Sequence, residues 1–291
     1  MRINPVLRNE NRLAVRSIKF TLMIFAYVAI LGAATIIYYV ALNSDIYVYG
    51  LNLQSSLGIY AVMAVAQAVL LMFIVPALNS TAICSEREKQ TFDILLSSKL
   101  TPLQKIIGKV AASSSKVIVL IISTMPLYAI CSLVGGVNFS NIAGLIVFFI
   151  INTIFVGSIG VFVSTYVKTS KLSTTLTYGL VLLIYIGIFV LSIAIMYYSV
   201  YKTQLNGGIY PDNIKAPIII YLSPVSGFLY MINEQLGLSY IFGGIISELG
   251  ISQYTYYISV LVQLVFSVIF ICLSAMKLNP LRNKRIFKSK K

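Results

Sequence analysis

The chain has 291 residues, of which 58% are hydrophobic and only 10% are charged, and its formal net charge is +14. Soluble domains carry about 25% charged residues, so this composition excludes an ordinary soluble protein and indicates a membrane protein. The absence of histidine excludes Ser-His hydrolysis, HExxH zinc sites and histidine proton relays.

The amino-terminal residues have the pattern of a helix that lies on a membrane surface. Asn4 and Pro5 form a helix start, and Arg8, Arg12 and Arg16 then recur every four residues, which places them on one face. Arginines on one face and apolar residues on another suit the anionic headgroup layer of the cytoplasmic leaflet. We therefore predict an interfacial helix over residues 1–19.

Six apolar segments follow, each close to the roughly 20 residues that a spanning helix needs. We expect the six spans at about residues 20–42, 58–82, 110–134, 141–167, 174–200 and 254–276. The whole chain, residues 1–291, is then a single all-α domain that crosses the membrane six times.

The distribution of basic residues predicts the orientation of these spans. All lysines and arginines except Lys202 and Lys215 fall on one side of the membrane, if Lys116 is counted with the start of the third span. Positive charge marks the cytoplasmic side. Both termini and residues 83–109 are therefore expected in the cytoplasm, and residues 43–57 and 201–253 outside, which suits a multi-pass protein of the cell membrane.

The loop between the second and third spans is both charged and amphipathic. Glu86, Arg87 and Glu88 belong to a charged cluster, "EREK", and the side chains of Phe92, Leu95 and Leu96 are spaced to share one face of a short helix. Such a helix is too short and too charged to span. It can rest on the membrane surface or fit a groove on a cytoplasmic partner.

The long loop before the last span carries a second helix signal. Ser223 followed by Pro224 is a typical helix start, with serine as the cap and proline at the first helical position. The neighbouring apolar stretches are too short to span. We expect short re-entrant or interfacial helices within residues 201–253 that dip into the outer leaflet; the alternative is a surface loop with one helix.

No energy source is encoded in the spans themselves. Apart from Lys116 they carry no charged residue, whereas a proton- or sodium-coupled carrier is expected to show an intramembrane carboxylate. The sequence also lacks a GxxxxGK[ST] phosphate loop and a TVGYG-like filter. Mild polar residues such as Gln67, Ser113 and Gln263 are interpreted as helix-joining groups rather than a substrate site. If the chain is a pump, its energy comes from a partner.

Residues 76–109, "PALNSTAICSEREKQTFDILLSSKLTPLQKIIGK", resemble the signature region of ABC type-2 transporter permeases. That family shows a glutamate-rich turn, a threonine, paired leucines, a proline-containing turn and a Gly-Lys pair. They match the following residues of this chain: Glu86 and Glu88, Thr91, Leu95 and Leu96, Pro102, Gly108 and Lys109. Gln90 departs from the pattern, because a glycine is common before the threonine.

The resemblance implies a coupling helix at about residues 86–97. It implies two separate ATPase subunits that bind ATP and Mg²⁺, a second permease, identical or homologous, that completes a dimer, and export rather than import. The coupling residues are then Glu86, Arg87, Glu88, Thr91, Phe92, Leu95 and Leu96. We expect no catalytic, cofactor-binding or metal-ligating residue in the chain, and no nucleic acid among its partners.

A second interpretation remains open at this stage. An ATP-independent membrane scaffold or lipid-handling protein could use the same charged loop to dock a different cytoplasmic partner. The sequence also leaves open the substrate of an exporter, since peptides, lipids, drugs and glycan precursors are all compatible with an apolar interior.

The orientation can be tested with single cysteines placed in a cysteine-free background. Cysteines at Ser44 and Asn206 should react with an impermeant thiol reagent on intact cells, because both positions are expected outside, whereas one at Ser98 should not. Labelling at Ser98 without labelling at Asn206 would reverse the topology.

Overall fold

The computed structural model describes residues 17–49, 53–92, 100–135, 137–205, 217–237 and 251–278. These residues are almost entirely helical, and none of them forms a strand. Within the described residues, six segments are long and apolar enough to cross a membrane: Ile18–Ala41, Leu57–Glu88, Pro102–Ile130, Phe139–Tyr166, Ser170–Leu205 and Gln253–Leu278. The prediction of an all-α chain with six spans is confirmed. The predicted amino-terminal helix lies almost wholly outside the described residues.

The helices have the following bounds in chain order. Span 1 is Ile18–Tyr49 and span 2 is Leu53–Asn79, which is followed by the short helix Cys84–Glu88, hereafter the loop helix. Span 3 comprises Pro102–Ser123 and Met125–Gly135, and span 4 is Phe139–Tyr166. Span 5 comprises Ser170–Leu182, a π-helical turn Leu183–Gly187, and Ile188–Leu205. A 3₁₀ turn at Ile218–Leu222 precedes Pro224–Leu236, hereafter the penultimate helix, and span 6 is Gln253–Leu278.

Span 3 begins two turns before its apolar stretch. A capping box at Thr101 starts the helix: Thr101 Oγ1 accepts a hydrogen bond from Gln104 N at 3.3 Å, and Gln104 Oε1 accepts one from Thr101 N at 3.1 Å. Pro102 occupies the first turn, where its missing N–H costs nothing. The span was expected from residue 110, so the cap extends it into the predicted loop and places Lys105 and Lys109 on a helix, where both are buried.

Span 4 is the centre of the bundle. Of its most apolar window 67% is buried, against 11% for span 1. Spans 4 and 6 run in the same direction: the ring of Phe148 lies 6.2 Å from that of Tyr256, and farther along both helices Phe162 lies 5.2 Å from Phe270. Parallel even-numbered spans are what a six-span topology requires.

Two glycines let span 4 approach the end of span 2. A Cβ atom on Gly160 would lie 2.9 Å from Asn79 Cβ and 3.1 Å from Ser80 N, and one on Gly157 would lie 3.0 Å from Asn79 Oδ1. Close backbone approach at small residues is a general way to pack helices in lipid, where no hydrophobic effect drives their association.

Buried polar side chains join the spans, as the sequence indicated for several of them. Gln67 Nε2 donates to Thr124 Oγ1 at 3.3 Å, and Tyr128 OH donates to Gln67 Oε1 at 2.5 Å, which ties span 2 to span 3 and its continuation. Ser113 of span 3 donates to Asn79 Oδ1 of span 2. Gln263 of span 6 differs, because its buried amide has no hydrogen-bond partner among the described residues.

The penultimate helix starts where the sequence predicted. Ser223 Oγ accepts a hydrogen bond from Val225 N at 3.3 Å, and Pro224 is the first helical residue. At the other end, Gln235 accepts from Tyr60 OH at 2.8 Å and donates to Asn141 O at 3.0 Å. The helix is therefore fixed to spans 2 and 4. That it dips into the membrane stays a prediction.

The packing of span 4 predicts opposite outcomes for two glycine-to-alanine changes. Gly160→Ala should lower the stability of the purified protein by about 1–3 kcal/mol, because the added methyl must push span 4 away from Asn79 and Ser80. Gly179→Ala in span 5 is the matched control, since a Cβ there meets nothing within 4 Å. Thermal unfolding in detergent measures both. Equal melting temperatures for the two variants would contradict the close-contact account.

Candidate functional site

The loop helix is attached to the end of span 4 at its first residues. Ile83 N and Cys84 N both donate to Ser164 Oγ at 2.9 Å, and the buried Cys84 thiol donates to Val167 O at 3.2 Å. Ser164 thus satisfies backbone N–H groups that have no partner at the start of a helix. The start of the loop helix is therefore fixed to the bundle. The end of the bundle that carries the loop helix, Gln90 and Phe92 is hereafter called the loop end.

Glu86 forms an ion pair with span 3. Its Oε1 lies 2.7 Å from Lys109 Nζ, and the two side chains are 26% and 8% exposed. Thr91 Oγ1 donates to the other carboxylate oxygen of Glu86. A charge-assisted hydrogen bond in such a partly desolvated place is stronger than one at an open surface.

Arg87 binds the end of span 4. Its Nη1 donates to Val167 O at 2.7 Å and its Nη2 donates to Thr165 O at 2.9 Å. Carbonyl groups in the last turn of a helix have no intrahelical partner and carry the negative end of the helix dipole. The guanidinium therefore satisfies these carbonyl groups and offsets their charge.

Glu88 caps the start of span 5. Its Oε1 accepts a hydrogen bond from Ser170 N and its Oε2 accepts one from Ser170 Oγ, both at 2.7 Å. The residue at the N-cap position, Thr169, makes no side-chain capping bond of its own. A carboxylate is favourable here because the amino terminus of a helix presents free N–H groups and a positive partial charge.

Three successive residues of the loop helix therefore contact three different spans. Glu86 binds span 3, Arg87 binds span 4 and Glu88 binds span 5. Successive side chains on an α-helix point about 100° apart, so adjacent residues reach different neighbours. A single short helix thus ties three spans together.

The loop helix ends in a Schellman motif at a glutamine. Gln90 N donates to Arg87 O at 3.1 Å, Thr91 N donates to Glu86 O at 3.0 Å, and Gln90 has φ +58°. This motif needs one left-handed residue, and glycine adopts that conformation without a steric cost. The loop helix therefore ends at Glu88, inside the predicted coupling helix 86–97, and residues 93–97 of that prediction lie outside the described residues.

Phe92 packs within its own chain. Its ring lies 4.9 Å from the Arg87 guanidinium carbon, within the range of a cation–π contact. It also contacts an apolar cluster whose buried members come from four segments: Ile83, Ile106, Val110, Val161, Ala275 and Leu278. Leu95 and Leu96, which the sequence placed on the same face as Phe92, lie outside the described residues.

A second layer of hydrogen bonds lies behind the loop helix. Ser80, in the turn after span 2, contacts Thr174 Oγ1 at 3.0 Å, and its carbonyl oxygen accepts from Ser173 Oγ at 2.6 Å. The start of span 5 is therefore held by this turn as well as by Glu88.

Sequence reasoning found the charged residues of the loop helix but not their partners. Lys109 was identified as part of a motif, but the sequence did not indicate that it pairs with Glu86. No sequence signal marked Ser170, which lies 82 positions from Glu88. Within the described ranges, no group of three or more acidic, cysteine or histidine residues is arranged to hold a metal ion.

Comparison with known proteins identifies the family of this chain. A family model described as "ABC-2 family transporter protein" matches residues 5–285. A search of curated proteins found no significant match. Because the family model covers nearly the whole chain, the chain belongs to the ABC-2 transporter family and is a multi-pass membrane component of a transporter.

The left-handed conformation of Gln90 predicts how this position tolerates substitution. A non-glycine residue there costs about 1–2 kcal/mol relative to glycine, so Gln90→Gly should preserve or strengthen the turn, whereas Gln90→Val should weaken it. Amide hydrogen exchange at Thr91 reports on the turn, since this amide donates to Glu86 O.

Gln90→Asn is the control, because asparagine tolerates this conformation better than most residues. Protection of the Thr91 amide should be retained in the asparagine and glycine variants and should fall in the valine variant. Equal protection in all three would contradict the Schellman assignment.

Proposed function

We propose that this ABC-2 family chain is the membrane-spanning permease subunit of an ATP-driven exporter. A second permease, identical or homologous, completes the translocation path. Two separate ATPase subunits bind ATP and Mg²⁺ and act on the loop end. The chain resides in the cell membrane with both termini in the cytoplasm. Family membership supports the transport role, and the family's usual organisation supports the partners and the direction.

The geometry of the loop helix is the observation that carries this proposal. Glu86, Arg87 and Glu88 connect a five-residue helix to spans 3, 4 and 5. Displacement of the loop helix by a moving partner would therefore displace the ends of three spans together. A loop that only anchored the chain to lipid would need no such connections.

The energy for transport comes from the partner in this proposal. The sequence contains no phosphate loop and no histidine, so we assign it no nucleotide site. The purified chain alone should hydrolyse no ATP.

In this proposal Phe92 packs against its own chain and positions the residues that follow it. It does not itself contact the ATPase. Its packing against the apolar cluster fixes where the chain leaves the loop helix. Lys89 and Gln90 are exposed beside it. Leu95 and Leu96 then supply the apolar contact to the ATPase, since buried apolar anchors dominate such interfaces.

Glu86→Gln tests whether the loop helix transmits motion. The change keeps the shape of the side chain but leaves Lys109 buried without its counter-charge, which weakens the attachment to span 3 by about 2 kcal/mol. In the purified complex, substrate-stimulated ATP hydrolysis should fall several-fold, and basal hydrolysis and ATPase co-purification should change less.

Lys89→Gln is the matched control, because Lys89 is an exposed charge on the same turn and its side chain has no ion-pair partner among the described residues. Its stimulated hydrolysis should equal that of the parent protein. Equal effects of the two variants would remove the coupling role from Glu86. An intact protein that never co-purifies with an ATPase would favour the ATP-independent scaffold or lipid-handling function instead.

A further inference from the structure

A cavity of about 240 Å³ lies between spans 2, 4 and 5 and the penultimate helix. One face of span 2, including Val65, Met72 and Val75, forms one wall, and Phe149 and Phe228 form part of another. Apolar cavities of roughly 150 Å³ in proteins already admit a benzene ring. This cavity is therefore large enough for a short length of hydrocarbon chain.

The lining contains no charged residue, and nearly all its polar groups already form hydrogen bonds within the chain. Thr153 Oγ1 donates to Phe149 O at 2.8 Å, and Tyr185 OH donates to Asn152 Oδ1. No acceptor among the described residues accepts a hydrogen bond from the amide nitrogen of Asn152. An occupant that matches this wall is apolar and carries one uncharged acceptor, such as an ester, amide or hydroxyl oxygen, for that nitrogen.

The wall formed by span 5 has an unusual backbone. Tyr185 lies in the π-helical turn Leu183–Gly187, and its carbonyl oxygen accepts a hydrogen bond from Ser223 Oγ at 3.2 Å. Single π-helical turns inside α-helices occur frequently at functional sites. Here the turn brings Tyr185 to the cavity and joins span 5 to the start of the penultimate helix.

The cavity reaches the surface of the bundle at span 2. Val69 lines it and is 48% exposed, and Phe73, one turn farther along span 2, is 53% exposed. Span 2 is apolar enough to lie in a bilayer, so these residues would contact hydrocarbon rather than water. An occupant can therefore enter from the membrane.

We propose that this cavity binds the hydrocarbon part of an amphiphile that carries an uncharged hydrogen-bond acceptor next to its chain, and that such amphiphiles are the exported substrates. This substrate assignment rests on the proposed exporter function. Binding at the cavity does not, because it requires only this chain. Span 5 then has a partner at its start and another near its middle: the ATPase-linked loop helix at Ser170 and the substrate at Tyr185.

Photolabelling in phosphatidylcholine nanodiscs tests the binding site. The probe is a long-chain methyl ester with a diazirine on its chain, and the comparison probe is the sulfonate of the same chain. Peptide mass spectrometry should place the ester label on cavity-lining residues of span 2 and the penultimate helix. The sulfonate should label them at least tenfold less.

Two variants locate the label. Ala68→Trp fills the cavity from the wall of span 2 and should lower ester labelling about tenfold, whereas Ala77→Trp on an exposed part of the same span should not. Asn152→Leu removes the amide donor and should lower ester labelling several-fold without filling the cavity. This variant therefore still tests the binding site if Ala68→Trp does not fold. Ester labelling that is unchanged in Asn152→Leu, or equal labelling by both probes, would refute the proposed binding site.

A second arm separates an exported molecule from a resident membrane lipid. In the complex with its ATPase, the methyl ester should stimulate ATP hydrolysis, and Ala68→Trp should abolish the stimulation. Cavity labelling without stimulation, in a complex whose ATPase is active, identifies the occupant as bilayer lipid and overturns the substrate assignment. Failure to find any ATPase partner would refute the exporter function and leave the labelling result intact.

Discussion

Three charged side chains hold the loop end of this protein together. They are a carboxylate, a guanidinium and a second carboxylate on successive residues of the loop helix. Helix ends in or near a membrane present N–H and C=O groups that need partners, because lipid supplies none. Arg87 satisfies carbonyl groups that end span 4, Glu88 satisfies the start of span 5, and Glu86 neutralises a buried lysine of span 3. The requirement for polar partners thus fixes the loop helix to the bundle.

Hydropathy predicted the spans, and local chemistry predicted the helix start at Ser223, because both signals act within one stretch of chain. Contacts between distant segments were not predictable. The Glu88–Ser170 contact joins residues that the fold alone brings together, and Phe92 packs on residues from several spans. The capping box at Thr101 is local, but the expected start of span 3 followed hydropathy and came too late along the chain.

Span 5 connects the two candidate sites. Glu88 and Ser80 hold its first turn at the loop end, and its π-helical turn places Tyr185 against the cavity and beside the cap of the penultimate helix. A helix transmits displacement along its axis because its backbone hydrogen bonds resist compression. In the function proposed above, an ATPase that moves the loop helix would thereby change the shape of the cavity.

The central claim is that the loop helix and the start of span 5 move as one body when the partner ATPase binds nucleotide. Electron spin resonance distances test this directly in the assembled complex. Labels at Lys89 and Lys171, each paired with one at Lys19 on span 1, occupy exposed positions. Our account predicts that both distances change when ATP is added, while the distance between labels at Lys89 and Lys171 stays the same. A shift of Lys89 with Lys171 unmoved would contradict it.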